Sequence, residues 1–182
     1  MSVYLTAKVA VRYWSVASNQ EVSYLRSVGF TSIWPQEYPL KAFCAKGYFD
    51  DLHATSCKCG IYSLKSNVDE KYIESGGGSV FGSVYIWGKV IECEYGYRSE
   101  YAYPESLKCF SCIVCRKMCY SDSNIQLGYL RSGFIVSEYK MYMSICKSCA
   151  SITAIKQQFQ YIPLSAESLL KSLRASYNLK MR

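Results

Sequence analysis

Apolar and polar residues alternate along several short stretches of this chain, and a period of two indicates β-strands. The strongest stretch is residues 80–93, where β-branched and aromatic residues are interrupted by Gly82 and Gly88. Glycines inside a strand pattern predict a bulge or a bend. Further strands are predicted at residues 3–15, 21–28 and 98–103, the last of them ending before a proline, and residues 61–65 are a short apolar segment. The first part of the chain is therefore expected to form a twisted antiparallel sheet.

The remainder of the pattern predicts a second hairpin followed by helices. Strands are expected at residues 125–130 and 134–143, and a helix is expected to begin at the second of two CxxC pairs. Another helix should follow Ser165, whose hydroxyl can cap its first turn. Its apolar stripe consists of Leu169, Leu170, Leu173 and Tyr177. Such a stripe favours contact with the core over contact with a partner.

Cysteine adds chemistry to this outline, because ten cysteines are present with CxC and CxxC spacings. In a reducing compartment such spacings indicate metal ligands more than disulfides. The only histidine of the chain lies within sixteen residues of three of these cysteines. Thiolates and imidazole suit Zn²⁺, and four protein ligands leave no open position for a substrate. This segment predicts a structural Cys3His zinc site made of Cys44, His53, Cys57 and Cys59.

A second zinc site is predicted downstream, where Cys146 and Cys149 follow the predicted hairpin and open a helix. The N-terminus of a helix favours thiolates. A knuckle with two cysteines, a hairpin and a second cysteine pair at the start of a helix together resemble a treble-clef zinc module. The chain is therefore expected to bind two Zn²⁺ ions.

The upstream pair of this second site is left open, because four cysteines crowd into one run, namely Cys109, Cys112, Cys115 and Cys119. Cys112 with Cys115 matches a zinc knuckle best, and Cys109 with Cys112 is the second choice. The run also has the spacing C-x₂-C-x₂-C-x₃-C of a bacterial-type ferredoxin. Tyr120 stands where a proline usually follows. An iron–sulfur redox protein is kept as an alternative hypothesis.

Several motifs in the first part of the chain also resemble a known family. They are Cys57-Lys-Cys59-Gly-Ile-Tyr62, Trp87-Gly-Lys-Val90, Gly96-Tyr-Arg98 and Ala102-Tyr-Pro104. They are similar to the CxCGIY…WGxV…GYR…AYP signature of a family of uncharacterised bacterial proteins, which implies no established activity. The resemblance covers roughly residues 1–105, and the basic remainder lies outside it.

Two domains of an α+β protein are predicted from these observations. Residues 1–105 are expected to form an antiparallel β-rich domain with the Cys3His zinc site. Residues 106–182 are expected to form a small, basic, treble-clef-like zinc module with a C-terminal helix.

Charge is distributed unevenly between these two parts. Residues 1–105 carry ten Lys and Arg against eleven Asp and Glu, whereas residues 106–182 carry eleven against three, a net +8. A basic segment beside a neutral one indicates contact with a polyanion such as DNA or RNA, and the alternative is a solvated basic surface. The residues predicted to meet phosphates are Lys108, Arg116, Lys117, Arg131, Lys140, Lys147 and Lys156, and those predicted to stack on bases are Tyr129, Tyr139 and Tyr142.

The predicted function is that of a non-catalytic zinc-binding protein, either a nucleic-acid-binding subunit or an adaptor in a nucleoprotein assembly. An interaction module without nucleic-acid contact is the alternative. Walker, Rossmann and GxSxG patterns do not occur in the sequence, and no small-molecule substrate is evident. No apolar run reaches the ~18 residues of a membrane helix, and residues 1–8 lack the start of a signal peptide. A cytoplasmic protein without a membrane partner is therefore expected.

Overall fold

The computed structural model describes residues 2–19, 22–28, 32–44, 58–67, 80–120, 124–130 and 139–179. These residues form ten strands and three helices. The strands are β1 (Ser2–Ser18), β2 (Ser23–Ser27), β3 (Leu40–Lys41), β4 (Ile61–Leu64), β5 (Val80–Glu92), β6 (Gly96–Ser111), β7 (Met118–Cys119), β8 (Ile125–Leu130), β9 (Lys140–Cys146) and β10 (Phe159–Tyr161). The helices are α1 (Lys147–Ala150), α2 (Thr153–Gln158) and α3 (Ala166–Ser176).

The strands belong to one antiparallel sheet built around β1. Strand β5 lies between β1 and β6, and β4 pairs with β6 and also meets β1 at Val11 and Leu64. At its other end β1 pairs with β2 and with β9, and β8 and β10 continue the sheet beyond β9. The prediction of a mostly antiparallel sheet with few helices is confirmed.

The bulges expected in β5 are present. The register with β6 shifts between Phe81 and Gly82 and again between Ser83 and Val84. A Cβ atom on Gly82 would lie 1.9 Å from the carbonyl oxygen of Ser106, so only glycine allows the two backbones to approach this closely. The structure also corrects the predicted end of the strand at residues 98–103. This strand was expected to end before Pro104, but β6 continues through Pro104 to Ser111. A register shift is a position where a strand tolerates the missing N–H of proline.

The largest hydrophobic cluster among the described residues contains residues from both ends of the chain. Ala10 and Trp14 of β1 are fully buried in it, together with Leu169 and Leu173 of α3. The predicted apolar stripe of α3 therefore contacts the core, and Ser165 caps the helix by accepting a hydrogen bond from the backbone N–H of Ser168. Division of the chain at residue 105 stays a prediction, and β6 runs across that position without a break.

No helix among the residues that the structure describes is long and apolar enough to cross a membrane.

Tyr177, just after α3, connects this helix to the N-terminal segment. Its ring is fully buried, and its hydroxyl accepts a hydrogen bond from the N–H of Leu25 (3.0 Å) and donates one to the carbonyl of Trp34 (2.8 Å). Burial raises the pKa of this hydroxyl above the ordinary value for tyrosine. The hydroxyl thus satisfies two backbone groups that belong to a distant part of the chain.

We expect Tyr177→Phe to lower the free energy of unfolding by about 2 kcal/mol or more, because it leaves a buried N–H and a buried carbonyl unpaired. Urea unfolding followed by tryptophan fluorescence measures the change. Tyr85→Phe is the matched control, since Tyr85 is 36% exposed and loses only a surface hydroxyl, which should change stability by less than about 0.5 kcal/mol. Equal effects of the two substitutions would contradict the bridging role of Tyr177.

Candidate metal centre

The first half of the centre is a tight turn that follows β6. The N–H of Cys112 donates to the carbonyl of Lys117 (2.9 Å), and the N–H of Arg116 donates back to the carbonyl of Cys112 (2.8 Å). Arg116 has φ +64°, the left-handed conformation that a knuckle normally gives to glycine. This turn directs the side chains of Cys112 and Cys115 toward the same point.

The second half of the centre lies at the junction of β9 and α1. Cys146 ends β9 and is the residue that precedes the first turn of α1, and Cys149 lies within that short helix. The buried hydroxyl of Ser144 donates to the carbonyl of Ser111 (2.7 Å), and the carbonyl of Ser144 accepts from the N–H of Ile113 (2.9 Å). These bonds hold β9 against the knuckle and so bring the two cysteine pairs together.

Four thiols converge at this junction. The Sγ atoms of Cys112, Cys115, Cys146 and Cys149 all lie within 4.8 Å of one another, and those of Cys115 and Cys146 are 3.8 Å apart. Four sulfurs placed tetrahedrally at ~2.3 Å from one ion are about 3.8 Å from each other. The group can therefore hold a metal ion such as zinc, and the knuckle pair is the one that the sequence favoured.

Backbone N–H groups prepare the centre for thiolates. Burial raises the pKa of the Cys112 thiol, but hydrogen bonds from the N–H groups of Cys146, Cys115 and Val114 outweigh burial and lower this pKa to about 7. Burial raises the pKa of Cys149 and of Cys115. One thiolate is thus stabilised by the protein alone, and a bound cation would be needed to stabilise the others.

A small separate hydrophobic cluster contains two of the four cysteines. Cys112 and Cys149 are buried there with Ile145, Ala150 and Phe159. The ring of Phe159 lies against β8 at Gly128, where a Cβ atom would come within 2.3 Å of the ring. A larger residue at Gly128 would displace this ring and weaken its packing in the cluster that contains Cys112 and Cys149.

The other two cysteines of the run do not join the four. Cys109 is buried among Val11, Tyr13 and Phe81, in an apolar cluster of its own, and burial raises the pKa of its thiol to about 12. Burial together with the nearby thiols of the centre raises the pKa of Cys119 to about 11. The structure therefore does not gather Cys109 and Cys119 with the other two cysteines of the ferredoxin-like spacing.

The predicted Cys3His site is described only in part, because His53 and Cys57 lie outside the described residues. Cys44 and Cys59 flank that segment, and both are partly buried. The chain enters the segment from Ala42, whose N–H donates to the carbonyl of Glu100 (2.7 Å), and leaves it at Ile61, which pairs with Ser99. The two ends of the segment are thus anchored at neighbouring positions of β6.

The predicted nucleic-acid residues are spread over the elements around the centre. Lys108, Lys117, Lys140, Lys147 and Lys156 are exposed, Arg116 is partly buried in the knuckle, and Arg131 lies outside the described residues. The rings of Tyr129 and Tyr142 stack on each other with centroids 5.1 Å apart, and Lys140 lies over Tyr129 with its Nζ 5.6 Å from the ring centroid. Tyr139 meets Tyr24 edge to face at 5.7 Å. These tyrosines are therefore already paired with aromatic neighbours.

Sequence patterns do not indicate two features of the centre. The sequence does not indicate the left-handed conformation of Arg116, because glycine usually occupies this position of a knuckle. The only available signal is its place directly after the second cysteine. The bonds between Ser111, Ile113 and Ser144 join segments that are far apart in sequence, and no local pattern marks them.

We expect Cys146→Ser to lower the amount of bound metal by about one ion per chain, because a four-thiolate site loses one of its ligands. Metal analysis after dialysis, together with competition against a chromogenic chelator, measures this change. Cys119→Ser is the matched control and should retain the metal, since its thiol does not belong to the group of four. Equal retention by both variants would show that these four thiols do not bind the ion.

Arg116 provides a second test of the knuckle. A residue with a Cβ in the left-handed region costs roughly 1–2 kcal/mol, so Arg116→Gly should preserve or slightly raise the stability of the metal-loaded protein. Arg116→Val should lower it by about 1–2 kcal/mol, because β-branched residues fit this conformation worst. Urea unfolding in excess zinc compares the two. A valine variant as stable as the parent would contradict the knuckle geometry.

Neither a family model, nor a curated protein, nor a solved structure matches this chain. The resemblance of residues 1–105 to the bacterial family and that of residues 106–182 to a treble-clef module stay predictions.

Proposed function

We propose that Cys112, Cys115, Cys146 and Cys149 hold a structural Zn²⁺ and that the chain acts as a non-catalytic nucleic-acid-binding protein. The convergence of the four thiols within 4.8 Å carries the first half of this proposal. Four protein ligands fill the tetrahedral positions of zinc and leave none for a substrate or a reactive water. The ion would act as a crosslink between the end of β6 and the start of α1.

Nucleic acid is proposed as the partner because the segments joined by this crosslink carry exposed lysines. Lys117 follows the knuckle, Lys147 lies between the two cysteines of the second pair, and Lys156 belongs to α2. Each lysine that meets a phosphate releases counterions and adds to affinity without base specificity. The ion would fix the relative positions of these lysines, so metal binding and polyanion binding are expected to be linked.

Stacking on bases would have to use the outer face of the tyrosine pair. Tyr129 and Tyr142 already cover one face of each other, and Lys140 adds a positive charge beside them. A base stacked on an aromatic ring with a cation nearby gains from both contacts. This arrangement supports binding of single strands with little base preference.

A second Zn²⁺, held by Cys44, His53, Cys57 and Cys59, is proposed as well. Ala42 and Ile61 are anchored at neighbouring positions of β6. This anchoring supports the second site, because it brings the backbone close to Cys44 and the backbone close to Cys59 into the same region. Such a site would stabilise the segment by closing a loop.

The two alternative functions lead to different outcomes of the same experiments. The spacing of the four thiols fits a single ion better than a multi-iron cluster, whose ligands must reach around a larger body, and iron analysis with an absorption spectrum distinguishes the two. An adaptor without nucleic-acid contact would instead bind one protein stoichiometrically. Its predicted surface on α3 is weakened as a candidate, since Leu169 and Leu173 are buried in the core.

We expect the zinc-loaded protein to bind a labelled single-stranded RNA or DNA of mixed sequence with an affinity that falls steeply between about 50 and 200 mM salt. Neutralising three exposed lysines, in Lys117→Gln with Lys147→Gln and Lys156→Gln, should reduce the slope of log affinity against log salt by about 2–3. Fluorescence anisotropy measures both quantities.

Lys41→Gln with Lys171→Gln is the control, because both lysines are exposed but lie away from the knuckle and α1 in sequence. This control should keep most of the affinity. Removal of zinc by a chelator should weaken binding as strongly as the triple substitution. Absence of binding at low salt would contradict nucleic acid as the partner, while retention of the four-thiol metal would leave the structural site intact.

A further inference from the structure

The four cysteines of the centre differ in their exposure to solvent. Cys112 is fully buried and Cys149 is 8% exposed, whereas Cys115 and Cys146 are partly exposed. Cys115 lies in the knuckle that follows β6, and Cys146 lies at the end of β9, where α1 begins. A dissolved oxidant therefore meets one accessible cysteine from each half of the centre.

The two accessible cysteines are also direct neighbours in space. The Sγ atoms of Cys115 and Cys146 are 3.8 Å apart. A disulfide bond is ~2.05 Å long, so the sulfurs must approach by about 1.8 Å, which rotation about the two Cα–Cβ bonds can supply. Cys115 belongs to a turn and Cys146 ends a strand, so this approach does not require a helix or a strand to break.

The two buried cysteines are held more tightly than the accessible ones. The sulfur of Cys112 accepts hydrogen bonds from three backbone N–H groups. Cys149 lies within α1 and is packed in the small hydrophobic cluster that contains Phe159. Rotation of either side chain toward its own CxxC partner would break these bonds or contacts. A disulfide between the two pairs is therefore favoured over a disulfide within one pair.

Positively charged residues adjoin both accessible cysteines in the sequence. Arg116 and Lys117 directly follow Cys115, and Lys147 directly follows Cys146. Both lysines are exposed. Cationic neighbours favour the thiolate, which is the form of cysteine that reacts with peroxides. The two cysteines thus combine exposure with cationic neighbours, as redox-sensitive cysteines do.

We propose that Cys115 and Cys146 are a peroxide-sensitive pair whose disulfide replaces the metal ion as the crosslink between the knuckle and α1. This inference rests on the proposed four-thiol zinc site. One thiolate of the pair attacks an oxygen of hydrogen peroxide, which gives a sulfenic acid and a hydroxide ion. The other thiolate then attacks the sulfenic sulfur and expels a second hydroxide, so two thiolates lose two electrons to one peroxide.

This oxidation changes what holds the two halves of the centre together. It leaves only Cys112 and Cys149 as ligands, which is half of the set that a structural zinc site uses, so the ion is released. The end of β6 and the start of α1 stay joined, now through a covalent bond. Oxidation therefore removes the metal without separating the knuckle from α1.

The test treats the zinc-loaded full chain with a small molar excess of hydrogen peroxide and then alkylates the remaining thiols in denaturant. Tryptic digestion with tandem mass spectrometry maps the disulfides, because trypsin cuts between Cys115 and Cys119 and between Cys146 and Cys149. Fragmentation distinguishes the cysteines that share a peptide. The disulfide between Cys115 and Cys146 should exceed every other pairing within residues 109–149 at least about fivefold.

Two variants sharpen this test. Cys59→Ser lacks a ligand of the other proposed zinc site, so its zinc release, measured with a chromogenic chelator, should rise in step with this disulfide, and a reductant should restore metal uptake. Cys119→Ser is the matched control and should form the same disulfide. The Sγ atom of Cys119 lies outside the group of four and contacts the carbonyl of Lys117 at 3.7 Å.

A disulfide within either CxxC pair, a disulfide to Cys119, or sulfinic acids without a disulfide would overturn the inference and leave the proposed zinc site intact. A chain that binds no zinc at the four thiols before oxidation would overturn both the inference and the proposed site.

Discussion

The pairing of β1 is the constraint on which the described structure depends. This strand of 17 residues pairs with β5 over most of its length, meets β4 at Val11, and is paired at its end with both β2 and β9. A change of register by one residue would turn the buried side chains of β1 toward solvent and would move all four neighbours at once. Because β9 ends at Cys146, the same pairing also fixes the position of one half of the cysteine centre relative to the core.

The cysteine centre depends on backbone hydrogen bonds as much as on its thiols. Four thiolates placed this close would repel one another strongly in a partly buried site, so they need compensation from N–H groups and from a cation. The N–H groups of the knuckle and of β9 supply the first part at Cys112. The bonds between Ser144 and the knuckle hold the two pairs together before an ion binds. A site assembled in this way loses less conformational entropy on binding than one made by mobile loops.

Local patterns were sufficient for the features that depend on local sequence. Strong alternation located β5, a serine cap located α3, and CxxC spacing located Cys146 and Cys149, because each rests on residues a few positions apart. The same spacing left two choices for the upstream pair, since Cys109, Cys112 and Cys115 are equally spaced. The patterns failed where tertiary contacts decide. Strand β6 runs past its proline because the bulge opposite removes the need for an N–H, and Cys109 leaves the centre because its side chain packs against Phe81 on the partner strand. The burial of the Nε atom of Arg12 in β1 also has no sequence signal, since a charged residue within a strand ordinarily faces solvent.

The excess of positive charge in the last part of the chain is larger than the cysteine centre requires. One divalent ion with four thiolates carries a net negative charge, and lysines close to it, such as Lys147, would offset part of that charge. Residues 106–182 nevertheless carry eleven Lys and Arg against three Asp and Glu, so they remain strongly basic after such compensation. A surface with this surplus repels itself and stabilises an external anion. A polyanion that meets several lysines at once would relieve this repulsion more fully than small counterions do, and this is the charge argument for the nucleic-acid partner that we propose.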